Sequence, residues 1–297
     1  MIEEICVPNY LDGRVFVSPI IGCSGGCKYC YLRIHSLKQP LINPIGKDRL
    51  IASVTENKNV VLGKGGTIIS VGAWGDIFQN KAFSDYSLSI IEELVSLGNP
   101  IQFMSKYQID EKNIERIAKI QLYPNQILYS TTITTIDLWK QIEPNTTSPE
   151  KRLNTCLLFK KRGIESNVMI KPFISGITDK ELDSIIDLLL LHKIAYCVLG
   201  VFYYTDEIHE NMNSILAEGI KSEQSFLDCN GSFEIASTRS SELLKYVSMF
   251  QKSGIKAFLK SSCVNANISR TNNPSNYNFL HNGYCIGCGN CKQDNTL

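Results

Sequence analysis

The sequence lacks long apolar runs, has almost no charge imbalance, and contains few histidines. No apolar run reaches the ~18 residues expected of a membrane span. The start, from Met1 to Asp12, carries Glu3, Glu4 and Asp12 and has no basic stretch followed by a long apolar core, so it does not read as a signal peptide. A cytoplasmic chain without membrane contact is the expectation. The 30 basic and 29 acidic residues leave a formal net charge of +1. That argues against a protein that coats nucleic acid over its whole surface, while a local basic groove stays open. The four histidines, His35, His192, His209 and His281, show no ligand spacing. There is no internal repeat, and no low-complexity tract beyond the Asn-rich stretch near 265–282. A composition of 43% hydrophobic and 20% charged residues excludes wholesale disorder and collagen-like structure.

What stands out is cysteine. There are 11, an odd number that cannot all pair as disulfides. A reducing compartment keeps thiols free, so clustered cysteines there point to metal binding or catalysis. Six fall in two tight groups: Cys23, Cys27 and Cys30 near the start, and Cys285, Cys288 and Cys291 at the end. Cys6, Cys156, Cys197, Cys229 and Cys263 stand alone, and isolated cysteines commonly act as small buried hydrophobes.

Between the two groups, strand-like and helix-like segments alternate. Residues 14–20, 67–71, 100–104, 125–133, 166–174 and 194–203 read as strands, rich in β-branched and apolar residues. Residues 83–97, 148–162, 179–192 and 240–252 read as helices. Gly98, Gly163 and Gly254 provide stops, Ser148 with Pro149 a start, and Thr178 a further cap. Repeated βα units imply a parallel sheet with helices outside, so the fold class is α/β. Periodicity alone leaves open a doubly wound sheet or a partial barrel, and either binds ligands at the C-terminal strand ends. The expected organisation is an N-terminal segment (1–13), a βα core (14–205), an α/β extension (206–260) and a cysteine-rich tail (261–297). The tail is rich in Ser, Asn and Gly, with little to bury, and would need a metal staple to order it.

The first cysteine loop runs Ile21-Gly22-Cys23-Ser24-Gly25-Gly26-Cys27-Lys28-Tyr29-Cys30-Tyr31, with the spacing C-x3-C-x2-C. Three thiolates this close can hold three corners of one iron–sulfur cube. The interleaved glycines let the backbone wrap round it and aim N–H groups at its sulfurs. Three ligands leave a fourth iron open to an exogenous group. The competing reading, a zinc knuckle, wants four ligands, commonly from paired C-x2-C halves.

At these residues the chain resembles the radical S-adenosylmethionine (radical SAM) superfamily, whose hallmark C-x3-C-x-aromatic-C is matched with Tyr29 as the aromatic. The resemblance spans about residues 15–205. It is most like the spore photoproduct lyase-like branch, in which the loop continues as C-x-Y-C-Y. It implies a partial (β/α)6 TIM-type barrel, with the cysteine-rich extension after it. It also implies a 4Fe–4S cluster on Cys23, Cys27 and Cys30, whose open iron chelates S-adenosylmethionine. One-electron cleavage of the cofactor then gives a 5′-deoxyadenosyl radical that abstracts a substrate hydrogen atom. The electron would come from a reductase or a flavodoxin- or ferredoxin-type donor.

The same resemblance implies where the cofactor is held. Gly72, Ala73, Trp74, Gly75 and Asp76 follow the second strand, where the family places a turn for the cofactor's amino group, more commonly as Gly-Gly-Glu. Lys106, after Ser105 at the third strand end, would pair the cofactor carboxylate. Ser130 and Thr132, flanking Thr131, end the fourth strand with hydroxyls suited to a ribose or carboxylate. Glu143-Pro144-Asn145 and Arg152 resemble the family's E-P-x-x-x-x-x-x-R run. Pro172, in Lys171–Gly176, ends the fifth strand, where an apolar edge would hold adenine. Read without the family, a Gly-Asp turn is usually only a turn, strand-end hydroxyls are as often helix caps as ligand contacts, and Arg152 could equally be a solvated helix residue.

The second group, Cys285-Ile286-Gly287-Cys288-Gly289-Asn290-Cys291, has the C-x2-C-x2-C spacing with which bacterial ferredoxin motifs begin. Cys263, 22 residues earlier, would complete a four-cysteine site; Cys229 and His281 are the reserves. The expectation is an auxiliary 4Fe–4S cluster, with structural zinc as the alternative. It would relay electrons for the substrate radical, or anchor the substrate if Cys263 is not a ligand.

Tyr203 and Tyr204 at the sixth strand end, and Cys229, are candidate hydrogen-atom donors or substrate contacts. Residues 140–171 carry seven basic and three acidic residues, and 251–297 five basic and one acidic. These could contact phosphates, stabilise an anionic cluster, or simply be solvated. The substrate is therefore either a nucleic acid or nucleotide, or a peptide or small metabolite. Outside enzymology, the chain could be a zinc-stapled binding protein without catalysis.

Overall fold

The six strand-like runs all form, and they lie side by side in chain order. The computed structural model describes residues 5–11, 13–33, 35–204, 206–215, 225–226, 234–236, 242–271, 288 and 290. The main sheet contains β1 (Asn9–Leu11), β2 (Arg14–Val17), β3 (Ile68–Val71), β4 (Ile101–Met104), β5 (Ile127–Thr132), β6 (Glu165–Ile170), β7 (Tyr196–Leu199) and β8 (Lys256–Phe258), in that order. Strands β2 to β8 pair in parallel, and β1 is antiparallel to β2. The six expected strands are β2 to β7. The sheet then continues at both edges, with β1 from the N-terminal segment and β8 from the expected extension.

Helices α1 (Gly46–Thr55), α2 (Lys81–Ser96), α3 (Glu111–Ile120), α4 (Pro149–Lys161), α5 (Leu182–Leu191) and α6 (Leu243–Lys252) lie between successive parallel strands. A mostly parallel sheet with these crossovers is the α/β, partial TIM-type barrel that was expected. Strands β3 and β5 are buried along their whole length, as strands covered on both faces must be.

Alternation along the strands sorts their side chains between two layers. Phe103 of β4 and Tyr129 of β5 face helix α4, with ring centroids 5.4 Å apart and Tyr129 4.7 Å from Phe159. The alternate positions are polar. Gln102 Nε2 donates to Ser130 Oγ at 2.7 Å, and Gln102 Oε1 accepts from Asn265 Nδ2 at 2.7 Å. Asn265 lies on α7 (Ser261–Ser269), which touches β3, β7 and β8.

Three features differ from the sequence reading. Thr178 does not cap α5, which begins at Leu182. The Thr178 hydroxyl donates to Thr134 O and accepts from Ile174 N, so it ties two loops instead. The start of the expected tail is not without packing: α7 buries Ser262, Cys263, Val264, Asn265 and Ile268. It has no polar face because it is covered on several sides, so its Ser/Asn content read as a loop. Helices α1 and α3 were not expected. Helix α3 starts where Asp110 accepts Asn113 N–H at 2.8 Å, a local cap that the sequence carries.

Candidate functional site

The cysteine loop leaves the Ile20–Ile21 strand and is fastened first by backbone. Gly22 N donates to Trp74 O at 2.7 Å, and Gly22 and Gly75 form a parallel bridge. Gly22 sits at φ +90, a region that favours glycine. A Cβ on Gly75 would lie 2.6 Å from both the Ile20 and Gly22 carbonyl oxygens. Backbone cannot swing aside as a side chain does. Gly75→Ala should therefore push the two loops apart, costing about 1–3 kcal/mol as overpacking does and weakening metal loading. Denaturant unfolding with an iron assay on the same samples checks this; unchanged values in both would contradict the close approach.

Side chains then clamp the loop from two directions. Gln79 Oε1 accepts Ser24 N–H at 2.7 Å and Ser24 Oγ–H at 2.8 Å, while its Nε2 donates to Gly22 O at 3.3 Å and Asp76 O at 2.8 Å. One amide thus holds both neighbours of Cys23. From the other side, Lys28 N donates to Ile142 O, and Asn145 N and Nδ2 donate to Gly25 O and Ser24 O. Gln79 was not singled out from sequence, because a glutamine four residues past Gly75 carries no motif of its own. Gln79→Ala removes four hydrogen bonds. It should cost about 1–2 kcal/mol, at about 1 kcal/mol per net bond less what water restores. Iron retention during dialysis against a chelator should fall with it, while Gln121→Ala, elsewhere on the surface, should leave retention unchanged.

Burial disfavours ionisation of all three thiols. Burial, then the neighbouring Asp76 carboxylate, pushes Cys23 up to about 11. Burial pushes Cys27 up to about 12 against the pull of Lys106, and raises Cys30 as well. Each thiol is within electrostatic reach of the others. Such thiols ionise only when a cation compensates, so metal loading should release protons. Backbone also approaches one of the sulfurs closely. Gly25 N donates to Cys23 Sγ at 3.3 Å, and a Cβ on Gly25 would lie 3.3 Å from that sulfur. Three soft donors, a backbone N–H aimed at one of them and the missing Cβ fit a thiolate-held iron–sulfur cluster.

Beside Cys27 lies a buried polar chain. The Tyr29 hydroxyl donates to Glu143 Oε1 and accepts from Lys106 Nζ at 2.6 Å. Lys106 Nζ is 3.7 Å from Cys27 Sγ and 3.5 Å from Glu143 Oε1. Glu143 Oε2 pairs with Arg152 Nη2 at 2.5 Å, and both side chains are almost fully buried. Arg152 also donates to Thr147 O, Thr132 O and Thr146 Oγ1. Burial would raise the Glu143 carboxyl, but Lys106 and Arg152 outweigh it and hold it below the ordinary carboxylate range.

Other expected residues take varied places. Asp76 Oδ1 accepts from Phe78 N and Ser105 Oγ, and Oδ2 accepts Lys106 N–H at 2.7 Å, so Asp76 joins the loops after β3 and β4. Burial raises its carboxyl despite those donors. Ala73 O accepts from the Tyr31 hydroxyl, and the Trp74 ring meets those of Tyr31 and His35 edge-on at 5.6 and 5.3 Å. Ser130 points to Gln102, one layer below Thr132. Pro172 is buried just past β6. Tyr203 and Tyr204 lie on the strand Phe202–Tyr204.

Of the second group, Cys288 is buried, and its carbonyl accepts from Gln251 Nε2 of α6 at 2.8 Å. Cys263 is buried on α7 in the same apolar cluster. Cys229, Cys285, Cys291 and His281 lie outside the described residues. Among the described residues, no helix is long and apolar enough to cross a membrane.

The radical SAM superfamily profile matches residues 17–189, more than half of the chain. The uncharacterized proteins Rv2578c of Mycobacterium tuberculosis and Mb2609c of Mycobacterium bovis are each 26% identical over 187 residues, covering 58% of this chain and 54% of the relative. The chain thus spans about half the length of the curated relatives it matches. Among solved structures, spore photoproduct lyase complexed with dinucleoside spore photoproduct is similar in fold, with TM-score 0.62, 15% identity, and 81% of this chain and 74% of that one covered. Streptococcus suis SuiB bound to precursor peptide SuiA gives TM-score 0.53 at 14% identity, covering 83% of this chain and 48% of that one.

Proposed function

The chain belongs to the radical SAM superfamily, and from that premise we propose that it is a radical SAM enzyme and how its own residues serve the chemistry. Cys23, Cys27 and Cys30 would hold a 4Fe–4S cluster, with S-adenosylmethionine bound beside it. When bound, the pair supplies a 5′-deoxyadenosyl radical, formed by one-electron cleavage, that removes a hydrogen atom from the substrate. The protein's part is to fix three sulfurs, orient the cofactor and exclude water. The observation that carries this reading is the double clamp on the loop, by Gln79 on one flank and Asn145 on the other.

Gly72, Ala73 and Trp74, with Thr132 and Pro172, line the strand ends for direct cofactor contact. Asp76 and Arg152 serve one layer behind, since their polar atoms are engaged with protein groups. An external reductase or a flavodoxin- or ferredoxin-type protein delivers the electron. Cys285, Cys288 and Cys291, with Cys263, hold a second 4Fe–4S cluster. That reading is supported by the C-x2-C-x2-C spacing and by the burial of Cys263 and Cys288.

For the substrate we favour a peptide or small metabolite over duplex nucleic acid. The basic excess of 140–171 is largely spent. Arg152 is buried, Lys140 donates to Pro144 O, Lys160 to Lys193 O, and Arg162 pairs with Glu115. Lys160, Lys161 and Arg162 also sit at the end of α4 that leads into the start of β6, opposite the strand ends where ligands bind.

Anaerobic reconstitution tests the reading. We expect about eight irons per chain for two 4Fe–4S clusters, and 5′-deoxyadenosine on adding reductant and S-adenosylmethionine. Two zincs, no visible absorbance and no cleavage would overturn it. Strongly salt-dependent binding to duplex DNA or RNA would overturn the substrate preference.

A further inference from the structure

We propose that Lys106 raises the reduction potential of the cluster by donating a hydrogen bond to the Cys27 sulfur, and that Tyr29 and Glu143 hold it in place. The inference rests on the cluster reading above and deepens it.

A cluster held by three thiolates is anionic, and one more electron makes it more so. A cation beside a ligand sulfur therefore stabilises the reduced form more than the oxidised form. Lys106 Nζ is 3.7 Å from Cys27 Sγ. Its position is fixed by the Tyr29 hydroxyl at 2.6 Å, by the Tyr29 ring face at 4.7 Å and by Glu143 Oε1 at 3.5 Å. The carboxylate does not cancel the lysine, because Arg152 Nη2 pairs with its other oxygen at 2.5 Å. Glu143 is thus shared between two cations, and the Lys106 ammonium keeps its approach to Cys27. The setting is dry: Cys27 and Glu143 are buried, and Lys106 is only 20% exposed at its side chain. The other charged groups nearby are Asp76 and Arg33, and Asp76, which accepts the Lys106 backbone N–H, offsets part of the lysine's charge. Asp76 acts on Cys23, and Arg33 Nη2 reaches Gly26 O at 3.3 Å. The motif aromatic gains a second task here, since its hydroxyl aims an ammonium at the neighbouring ligand. In the redox step, the cluster accepts one electron from the reductant, and no proton need move.

The test is a redox titration of the reconstituted protein followed by electron paramagnetic resonance, without S-adenosylmethionine, so that cofactor contacts do not enter. Deazaflavin photoreduced with a sacrificial donor, or dithionite with methyl viologen as mediator, serves as the reductant. K106M should lower the ratio of reduced to oxidised N-terminal cluster about tenfold at a fixed potential, equivalent to a 59 mV downward shift for one electron. K106R keeps the charge and should stay near wild type, and Y29F should fall between. Full iron with an unchanged potential in K106M would overturn the inference and leave the cluster reading standing. So would a K106R potential equal to that of K106M. If K106M does not load iron, K106Q carries the same expectation. Loss of iron in both, with normal loading in K106R, would overturn the tuning role in favour of a structural one. Failure of the wild-type protein to assemble an N-terminal cluster would instead defeat the underlying reading.

Discussion

Cys30→Ala is expected to fold with stability close to wild type and to lose 5′-deoxyadenosine formation by more than about 100-fold. Replacing a partner that merely orients a metal ligand already costs about 10–100-fold in affinity or activity, and losing a ligand removes a bond to the metal itself. The fold should survive because the loop is held by other groups. Cys30 N donates to Cys27 O, Gln79 and Asn145 hold Ser24, and Arg33 N donates to Cys30 O. None of these uses the Cys30 sulfur. If the C-terminal cysteines hold a second cluster, iron should fall by about half, from about eight to about four per chain. Cys156→Ala supplies the opposite pattern. Cys156 is a buried side chain of α4 in the apolar core. Its loss should cost about 1–2 kcal/mol as a small cavity while leaving cleavage of the cofactor at its normal rate per folded molecule. Normal 5′-deoxyadenosine output from Cys30→Ala would remove the cysteine loop from the chemistry.

That contrast also marks what could be read from residues alone. The loop was legible because three cysteines, the intervening glycines and one aromatic obey a spacing that chemistry imposes. The six strands were legible because buried parallel strands must be apolar along their length. What holds the loop was not legible. Gln79 is an ordinary glutamine until the chain brings the end of β3 beside residue 24. Arg152 by pattern could equally be a solvated helix residue, with the family resemblance its sole further mark, and folding spends its guanidinium on four protein acceptors. Helix α7 failed differently. Amphipathic period identifies a helix with one wet face, and this one is covered nearly all round. Long-range hydrogen bonds decide such cases, and no local window contains them.

The pair formed by Glu143 and Arg152 should be the costliest single contact to break. Arg152 is fully buried and Glu143 nearly so. Arg152→Met would strip one partner from a buried carboxylate and leave three protein acceptors, Thr132 O, Thr147 O and Thr146 Oγ1, without their donor. Breaking a buried pair from one side costs about 3–5 kcal/mol, which at this size lowers the melting temperature by roughly 10 °C. The penalty has a definite pH dependence. The wild-type Glu143 carboxyl is held below its ordinary range in the folded state, against about 4.3 when unfolded. Its contribution is therefore present above about 4.3 and is lost as the pH falls through the lower, folded value. The variant lacks that contribution, so the gap between the two proteins should narrow on acidification, and it should be widest near neutrality. Arg152→Lys keeps the charge but cannot span four acceptors from one ammonium, and should recover only part of the loss. Replacing both partners, as Glu143→Leu with Arg152→Met, should be less harmful than Arg152→Met alone, because no charge is then stranded. Urea unfolding of the four proteins at pH 7 and pH 4 measures all of this. A single Arg152→Met midpoint matching wild type, or a gap that grows as the pH falls, would show that the guanidinium is not what keeps Glu143, and through it Tyr29 and Lys106, beside Cys27.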